Sequence, residues 1–154
     1  MRRADREITD PAAVAELLAR ARVLYLAMCD DGVPYVVPLS YGYDGARTLY
    51  IHSAPAGRKV EVLRRDPRVC FAVAPDQELT KGEVSCGWGF KYRSVVGEGI
   101  AHFIADEAEK QQGLDVLMRH HGGTGGDYKP DALAKTALLR IEILSLTGKQ
   151  EGYA

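Results

Sequence analysis

The strongest constraint on the fold is a series of short β-rich segments with only turn sequences between them. RVLYLAMC and VPYVVPLSYGY are joined by DDG at residues 30–32, and Asp44-Gly45 leads into a third run, TLYIHS. Asp-Gly pairs between alternating segments are typical of tight hairpin turns. Consecutive hairpins place neighbouring strands antiparallel, so this part of the chain predicts an antiparallel sheet.

The later β-rich segments extend this prediction along the chain. RVCFAVA, residues 68–74, alternates as a strand does, and the long stretch over residues 84–104 is broken by glycines, which favours a bent or bulged strand. ALLRIEILSLTGK, residues 137–149, is apolar on both faces in part, as in a central strand. About six such strands with glycine bends favour a small antiparallel barrel.

Helices are predicted at few places. Asp10 before a proline predicts a helix over residues 11–21, and Asp106 as a cap predicts another over residues 106–119. A short helix is predicted to start at Pro130. A doubly wound parallel sheet needs a helix after nearly every strand, so the pattern argues against that class. One domain over residues 1–154 is the expectation for this length.

Composition excludes several partners. Net charge is -1, from 20 Lys+Arg against 21 Asp+Glu, whereas nucleic-acid binding usually requires a strongly basic surface. No segment approaches the length of apolar sequence that spans a membrane, so neither a membrane nor export is expected. Three cysteines without a CxxC pair suggest neither a disulfide framework nor a zinc site, which favours a reducing cytoplasm.

The stretch LYIHSAPAGRKVEVL, residues 49–63, passes from strand-like alternation to helical spacing. Ser53 is predicted to cap a helix that Pro55 helps to start, which places Arg58 and Lys59 in or near its first turn. Cations normally favour the other end of a helix because of the helix dipole. Two cations beside free backbone N–H groups therefore predict an anion, such as a phosphate. The alternative is that both charges are simply solvated.

Other residues near this corner are candidates with structural alternatives. His52 shares a strand face with Tyr50, although a strand histidine can also serve only as a structural hydrogen-bond partner. Pro38 interrupts a continuous strand and removes a ladder donor, so this strand is predicted at an edge, a bulge or a ligand-facing rim. Trp88 and Tyr92, with a neighbouring arginine, could form an aromatic and cationic wall or belong to the core.

The segment HHGGTGGDYKP, residues 120–130, is predicted to be a flexible loop with loop histidines. Adjacent histidines without a carboxylate or cysteine at ligand spacing do not suggest a metal site. The loop lacks both GxGxxG and GxxxxGK[ST], so it is not a nucleotide motif. Without a GxSxG elbow or a paired carboxylate, hydrolase chemistry is not favoured.

Taken together, VPYVVPLSYGYD, LYIHSAPAGRKVEVLRRDPRVCFAV and YRSVVGEGIAHF resemble the pyridoxamine phosphate oxidase-like family of FMN-binding split barrels, and within it the nitroimidazole-resistance branch. The resemblance runs from Arg3 to Lys149, and its most specific element is the His-Ser-x-x-x-Gly-Arg-Lys corner. It implies a mainly β fold with flanking helices, a six-stranded antiparallel split β-barrel. It also implies a homodimer with FMN in clefts at the subunit interface.

The resemblance further implies a set of cofactor-binding residues: Pro38, Leu39, Ser40, His52, Ser53, Arg58, Lys59, Trp88 and Tyr92. The two cations would hold the FMN phosphate with help from the serine that precedes the corner, and residues 38–40 would lie along the isoalloxazine ring. The histidine would be the catalytic residue, beside the flavin and its small-molecule pocket. The two aromatic residues would approach from the partner subunit.

The implied activity is FMN-dependent reduction of small molecules, with nitroaromatic compounds as candidate acceptors and a nicotinamide or another donor as the reductant. The alternative is a non-catalytic storage or sensor protein that binds FMN or another flavin, or haem with His52 as an axial ligand. The chain ends in LSLTGKQEGYA, without the arginine-rich signature of true pyridoxamine phosphate oxidases. Vitamin B6 oxidation is therefore not expected.

Overall fold

The structure of the chain, a computed structural model, describes residues 2–153. Its strands are β1 (Glu7–Ile8), β2 (Val23–Asp30), β3 (Val33–Ser40), β4 (Gly42–Tyr43), β5 (Thr48–Ser53), β6 (Arg68–Thr80), β7 (Gly89–Ile104) and β8 (Ala137–Glu151). Its α-helices are α1 (Pro11–Arg20), α2 (Arg58–Arg65), α3 (Glu107–His120) and α4 (Pro130–Ala134). A single domain over residues 1–154 stays a prediction, and residues 1 and 154 lie outside the described range.

The strands form one sheet in which every pair of neighbours is antiparallel. Their order is β3, β2, β6, β7, β8, β5, β4, with β1 paired to the end of β8. Over the described residues this ladder does not close, and β3 and β4 stand at its two ends. The predicted mainly β, antiparallel split-barrel fold is confirmed.

The number of strands needs one correction, because among residues 2–153 two short strands, β1 and β4, accompany the six longer ones and bring the total to eight. The predicted strand VPYVVPLSYGY is interrupted at Tyr41, whose side chain is completely buried. The Tyr41 hydroxyl donates a hydrogen bond to the Leu18 carbonyl at 2.5 Å. Turning this side chain into the core separates β3 from the short β4. The hairpin turn before β3 is confirmed, with positive φ at both Asp31 and Gly32.

Two register shifts interrupt the ladders of the long strands, and one of them falls at a glycine of the stretch predicted to be bent or bulged. Register shifts lie between Val73 and Asp76 in the β6–β7 ladder and at Gly99 in the β7–β8 ladder. Opposite Phe71, a Cβ atom on Gly97 would lie only 2.2 Å from the ring, so this close approach requires glycine. β7 begins at Gly89. Residues 84–88, which were predicted to belong to this strand, instead contain a 3₁₀ turn.

The main core lies on the inner face of the curled sheet, against α1. Its completely or almost completely buried members include Leu18, Leu24, Leu26, Leu49, Ile51, Phe71, Leu139 and Ile141. A second, smaller cluster of Leu114, Leu133 and Leu138 brings α3 and α4 together with β8. Tyr50 of β5 packs against this second cluster, so β5 has apolar neighbours on both of its faces.

The helices α1, α3 and α4 begin at or next to the predicted residues. Asp10 accepts a hydrogen bond from the Ala12 N–H at 2.9 Å, and Asp106 accepts one from the Glu109 N–H at 2.8 Å. These caps satisfy backbone donors that have no acceptor within the helix. Among residues 2–153, none of the helices is long and apolar enough to cross a membrane.

Candidate functional site

The corner between β5 and α2 carries the predicted anion-binding residues. β5 ends at Ser53, and α2 begins at Arg58 with Gly57 as its N-cap residue. Gly57 has a φ of 121° and a ψ of 168°, a backbone conformation open almost only to glycine. The prediction that Ser53 caps this helix is wrong, because residues 54–57 separate it from the first turn and no side chain caps α2.

The backbone at the start of α2 offers free donors. The first hydrogen bond of the helix runs from the Glu61 N–H to the Gly57 carbonyl at 3.1 Å. The N–H groups of residues 58–60 precede that bond, so they have no acceptor within the helix. The positive end of the helix dipole lies at the same place.

Lys59 is the half-buried cation of this corner. As the second residue of α2, it lies three and four residues before Val62 and Leu63, which are both buried. Burial lowers the pKa of its amine below the usual lysine value. Across residues 2–153, its Nζ has neither a hydrogen bond nor an ion pair. An ammonium group that is partly desolvated and lacks a counter-ion is suited to receive an anion.

Arg58 differs from Lys59 because it already has a carboxylate partner. Its Nε donates to Oδ2 of Asp30 at 2.9 Å, and its guanidinium carbon lies 4.2 Å from the centre of the Tyr35 ring. The Arg58 guanidinium holds the pKa of the Asp30 carboxyl below its usual value. For Arg58, part of the counter-charge therefore comes from β2, and anion binding by both cations stays a prediction.

The predicted flavin-facing residues Pro38, Leu39 and Ser40 lie at the end of β3. β3 is an edge strand, so the edge position predicted from Pro38 is confirmed. Leu39 packs against the main core, whereas Pro38 is exposed, which leaves the backbone as the part of Leu39 that a ligand could contact. Arg58 connects this strand to the corner through its contact with Tyr35.

His52 faces away from the main core, as its alternation with Leu49 and Ile51 predicts. It lines a cavity of about 210 Å³ whose other walls come from α3, α4 and the loop between them. The neighbouring side chains are Leu114, Leu117, Met118, Tyr128, Ala132, Leu133 and Thr136. Within the described residues, His52 forms no hydrogen bond or ion pair, so its imidazole is free for a ligand.

The hydroxyl groups around this His52 cavity already donate hydrogen bonds within the protein. The Thr136 hydroxyl donates to the Ala132 carbonyl at 2.8 Å, and the Tyr128 hydroxyl donates to Asp115 at 2.9 Å. Burial and the bond to Asp115 raise the pKa of Tyr128 to about 12, so this phenol stays neutral. Asp115 also accepts from the Gly126 N–H at 2.8 Å and thereby fixes the glycine-rich loop against α3.

His120 does not belong to the loop, contrary to prediction. It is the last residue of α3, and its Nδ1 accepts from the Tyr43 N–H at 3.3 Å, which implies that Nε2 carries the proton. That Nε2 lies 2.6 Å from the Ala21 carbonyl. Burial lowers the pKa of His120, so its imidazole stays neutral. The neutral side chain connects the end of α3 to β4 and to the end of α1.

Trp88 and Tyr92 lie on the long β6–β7 hairpin. Trp88 is half exposed, and Lys81 lies 5.9 Å from its ring, while Lys149 lies 5.7 Å from the ring of Tyr92. In the part of the chain that the structure describes, neither aromatic has a recorded contact with the corner residues of the same chain. Their approach to a site from a partner subunit stays a prediction.

Sequence reasoning missed Asp30 and Tyr35, which hold Arg58, and the residues of α3 and α4 around His52. Asp30 is the last residue of β2, 28 positions before Arg58, and no local pattern connects the two. The cavity walls have a weak signal, because Leu114 and Leu117 recur at helical spacing. That spacing predicts a buried face but does not identify the strand that it covers.

Most of the chain matches one protein family. Residues 10–150 match the family model described as pyridoxamine 5'-phosphate oxidase. An uncharacterised protein of Rhizobium meliloti is 38% identical over 58 residues, which are 38% of this chain and 37% of that protein. The matched segment is therefore well under two thirds of this curated relative.

Solved structures share the fold over nearly the whole chain. A candidate 5-nitroimidazole antibiotic resistance protein from Bacteroides thetaiotaomicron is 30% identical, with a TM-score of 0.84 over 94% of this chain and 86% of the other. The FAD and haem binding protein from Mycobacterium smegmatis is 20% identical, with a TM-score of 0.82 over 96% of this chain and 74% of the other. At that identity, the second likeness concerns the fold alone.

Proposed function

The chain belongs to the pyridoxamine 5'-phosphate oxidase family, and from this premise we propose that it is an FMN-dependent oxidoreductase of small molecules. The observation that carries the proposal is Lys59, a half-buried cation without a counter-ion at the start of α2. A flavin phosphate would supply the missing charge. The corner residues fit this group because they combine a cation, a second cation on a fixed support and free backbone N–H groups.

In this proposal the corner binds one end of the cofactor and β3 supports its ring. Lys59 and Arg58 hold the phosphate, with Ser53 close by at the end of β5. Residues 38–40 lie along the ring, where the free edge of β3 offers backbone donors and acceptors. Leu39 anchors this edge, because its side chain packs against the main core.

Bound FMN would supply two-electron redox chemistry between a donor such as a reduced nicotinamide and a small-molecule acceptor. The protein's contribution is to place the acceptor. Among the described residues that line the cavity, His52 is the polar side chain without a hydrogen-bond partner, so it can orient an acceptor through a single hydrogen bond. The likeness to a candidate 5-nitroimidazole resistance protein supports nitroaromatic acceptors.

The cavity volume of about 210 Å³ favours a small acceptor over haem as the occupant beside His52. Sites for drug-sized ligands usually measure about 300–1,000 Å³, and the haem macrocycle belongs to that range or above it. Haem bound through His52 would give the purified protein a Soret band.

A second copy of the chain is the proposed partner, because the outer face of the sheet is unusually apolar. Tyr25 is paired with Pro38 on one side and Ala72 on the other, and Ala72 is paired with Val96, so these four form a row across four strands. Tyr25 is 54% exposed and Val96 is 45% exposed. Monomers seldom expose a continuous apolar surface of this kind. In such a dimer, the partner's hairpin would bring Trp88 and Tyr92 to the site.

Flavin titration tests the cofactor part of the proposal. FMN should bind about 100-fold more tightly than riboflavin, because each charge-assisted contact to the phosphate contributes about 1.5–3 kcal/mol. Equal affinity for the two ligands would contradict a phosphate site at the corner. Tighter binding of FAD would identify another flavin, and a Soret band in the purified protein would identify haem.

Anaerobic reduction tests the enzymatic part. A reduced nicotinamide should bleach the visible absorbance of the bound flavin, and a nitroaromatic acceptor should restore it. Bound flavin that neither NADH nor NADPH can reduce would favour storage or sensing. Failure of every acceptor to reoxidise the reduced protein would contradict a reductase.

The acceptor cavity has a matched pair of test variants on α4. Ala132→Trp would fill the cavity, whereas Ala134→Trp adds the same ring at an exposed position of the same helix that does not line it. We expect the first variant to raise KM for the acceptor at unchanged FMN affinity, and the second to leave KM unchanged. Equal effects of the two variants would remove the cavity from the mechanism.

Sedimentation analysis tests the dimer. Tyr25→Lys places a charge in the apolar row and should convert the dimer to a monomer, because burying an unpaired charge at an interface is unfavourable. Val33→Lys is the control, because Val33 is 57% exposed but lies five positions before Pro38 on β3 and therefore on the opposite face of that strand. A parent protein that sediments as a monomer would contradict the proposal.

A further inference from the structure

Asp30 joins the end of β2 to α2 beside Arg58. It is the last residue of β2, and its side chain is only 20% exposed. One carboxylate oxygen accepts from Nε of Arg58 at 2.9 Å, and the other accepts from the guanidinium of Arg65. The carboxylate therefore ties the first turn of α2 and its last residue to the end of a sheet strand.

This contact fixes Arg58 without using all its donors. Asp30 engages the Nε edge, and Tyr35 covers one face of the guanidinium. In the described part of the chain, Nη1 and Nη2 have no hydrogen-bond partner. Two terminal nitrogens held in place are the donor pair that binds an anion in bidentate fashion.

Holding the side chain has a thermodynamic consequence. Arg58 is 54% exposed, and a long exposed side chain loses rotamer freedom when it binds a ligand. When an internal partner has already restricted it, less of that entropy is lost on binding. The carboxylate also acts in the opposite sense, since its negative charge repels the ligand's phosphate.

We infer that Asp30 is a positioning residue of the anion site, which holds the Arg58 guanidinium ready for the phosphate of the cofactor. The inference rests on the proposed function, because it concerns the same phosphate. It adds a residue from a distant strand to the site and separates its geometric effect from its charge. The two effects have opposite signs and can be measured apart.

Two substitutions at one position separate them. Asp30→Ala removes both the acceptor oxygen and the charge, and we expect FMN affinity to fall about three- to tenfold through lost preorganisation. Asp30→Asn keeps an oxygen that can accept from Nε and removes only the charge. We expect Asp30→Asn to bind FMN at least as tightly as the parent. Riboflavin affinity should stay unchanged in both variants.

Asp31 provides the matched control. It is the next residue, its side chain is 85% exposed, and its contact is with Arg65 at 3.8 Å rather than with Arg58. Asp31→Ala removes the same charge from nearly the same place, so its FMN affinity should equal or exceed that of the parent. In an Arg58→Ala background, Asp30→Ala should no longer weaken FMN binding, because Asp30 acts through Arg58.

The outcomes distinguish the inference from the proposed function. If the parent binds FMN and riboflavin equally, the proposed phosphate site fails and this inference fails with it. If the parent prefers FMN but Asp30→Ala and Asp30→Asn both tighten binding, the site stands and Asp30 is merely a repelling charge. Weakening by Asp30→Ala that persists in the Arg58→Ala background would also overturn the inference.

Discussion

The helices α2 and α3 begin in opposite ways. The first turn of α3 is capped by the Asp106 side chain, and Glu107 and Glu109 place negative charge at the positive end of the helix dipole. α2 starts after a glycine without a side-chain cap and places Arg58 and Lys59 there, with Glu61 only as its fourth residue. The start of α3 thus has both its cap and its favourable charges within its own sequence.

The difference suggests which helix start has a structural role and which a binding role. A helix start that lacks a cap and carries two cations lowers the stability of the fold. Such a local cost is expected at a site that has a function, such as ligand binding. Asp30 compensates for one of these cations, but Lys59 has no such partner among the described residues. On the proposed function, the missing part at α2 is a ligand phosphate, whereas nothing is missing at α3.

The largest effect is expected from removing the cations of α2. Arg58→Ala with Lys59→Ala should weaken FMN binding about 100-fold or more, since two charge-assisted contacts are lost. Riboflavin affinity and thermal stability should change little. Isothermal titration with both flavins, together with a melting curve, measures these quantities.

Arg64→Ala is the control for that variant. It removes a cation from the last turn of the same helix, where Arg64 lies 4.8 Å from the Phe103 ring. FMN affinity should remain at the parent value. If the double variant loses stability and FMN affinity to the same extent, the cations serve folding, and the contrast between the two helices disappears.

The next effect is expected from giving α2 a conventional cap. Serine is a preferred N-cap residue, yet Gly57→Ser should destabilise the protein by about 1–3 kcal/mol, because its backbone conformation is essentially restricted to glycine. Chemical denaturation measures the change. A gain in stability would show that α2 simply lacks a good cap.

A smaller effect is expected from removing the cap of α3. Asp106→Ala should lower the free energy of unfolding by about 1 kcal/mol, the usual value for a lost N-cap. FMN affinity should not change, since this helix start has no proposed ligand. Weakened flavin binding in this variant would contradict the division between the two helix starts.

The smallest effect concerns the other end of α3, where His120 is neutral. Burial lowers its pKa in the folded protein, whereas the unfolded chain titrates near about 6.5. Neutral His120 therefore contributes fully to the free energy of unfolding above about pH 6.5. This contribution is lost as the pH falls from there towards the lower pKa of the folded state.

Melting curves between about pH 8 and about pH 5.5 measure this loss around the ordinary histidine pKa. His120→Gln should show a weaker pH dependence than the parent, and His52→Gln, which changes a histidine without a recorded partner, should keep the full dependence. Identical pH profiles for all three proteins would contradict a buried neutral His120.

The features that could be predicted from sequence are those that depend on neighbouring residues. The caps at Asp10 and Asp106, the Asp31-Gly32 turn and the edge position of Pro38 each follow from chemistry within a few positions. The cap by Ser53 failed for a local reason as well, because the backbone at Gly57 delays the start of α2. Residue chemistry alone does not reveal that backbone conformation.

The contacts that could not be predicted join distant strands and helices. Asp30 meets Arg58 because β2 ends beside the first turn of α2, and His120 reaches Ala21 because α3 packs near the end of α1. The cavity at His52 requires α3 and α4 to cover one face of β5. Each depends on how the whole sheet is ordered, which hairpin signals do not specify beyond adjacent strands.

The central claim is that the start of α2 binds the phosphate of a flavin, and a crystal structure of the protein grown with FMN tests it most directly. The account predicts phosphate density within hydrogen-bond distance of Lys59 Nζ and of the free N–H groups at residues 58–60. It also predicts that Arg58 keeps its bond to Asp30 while its terminal nitrogens face the phosphate. A bound flavin whose phosphate lies elsewhere, with Lys59 still without a partner, would contradict the account.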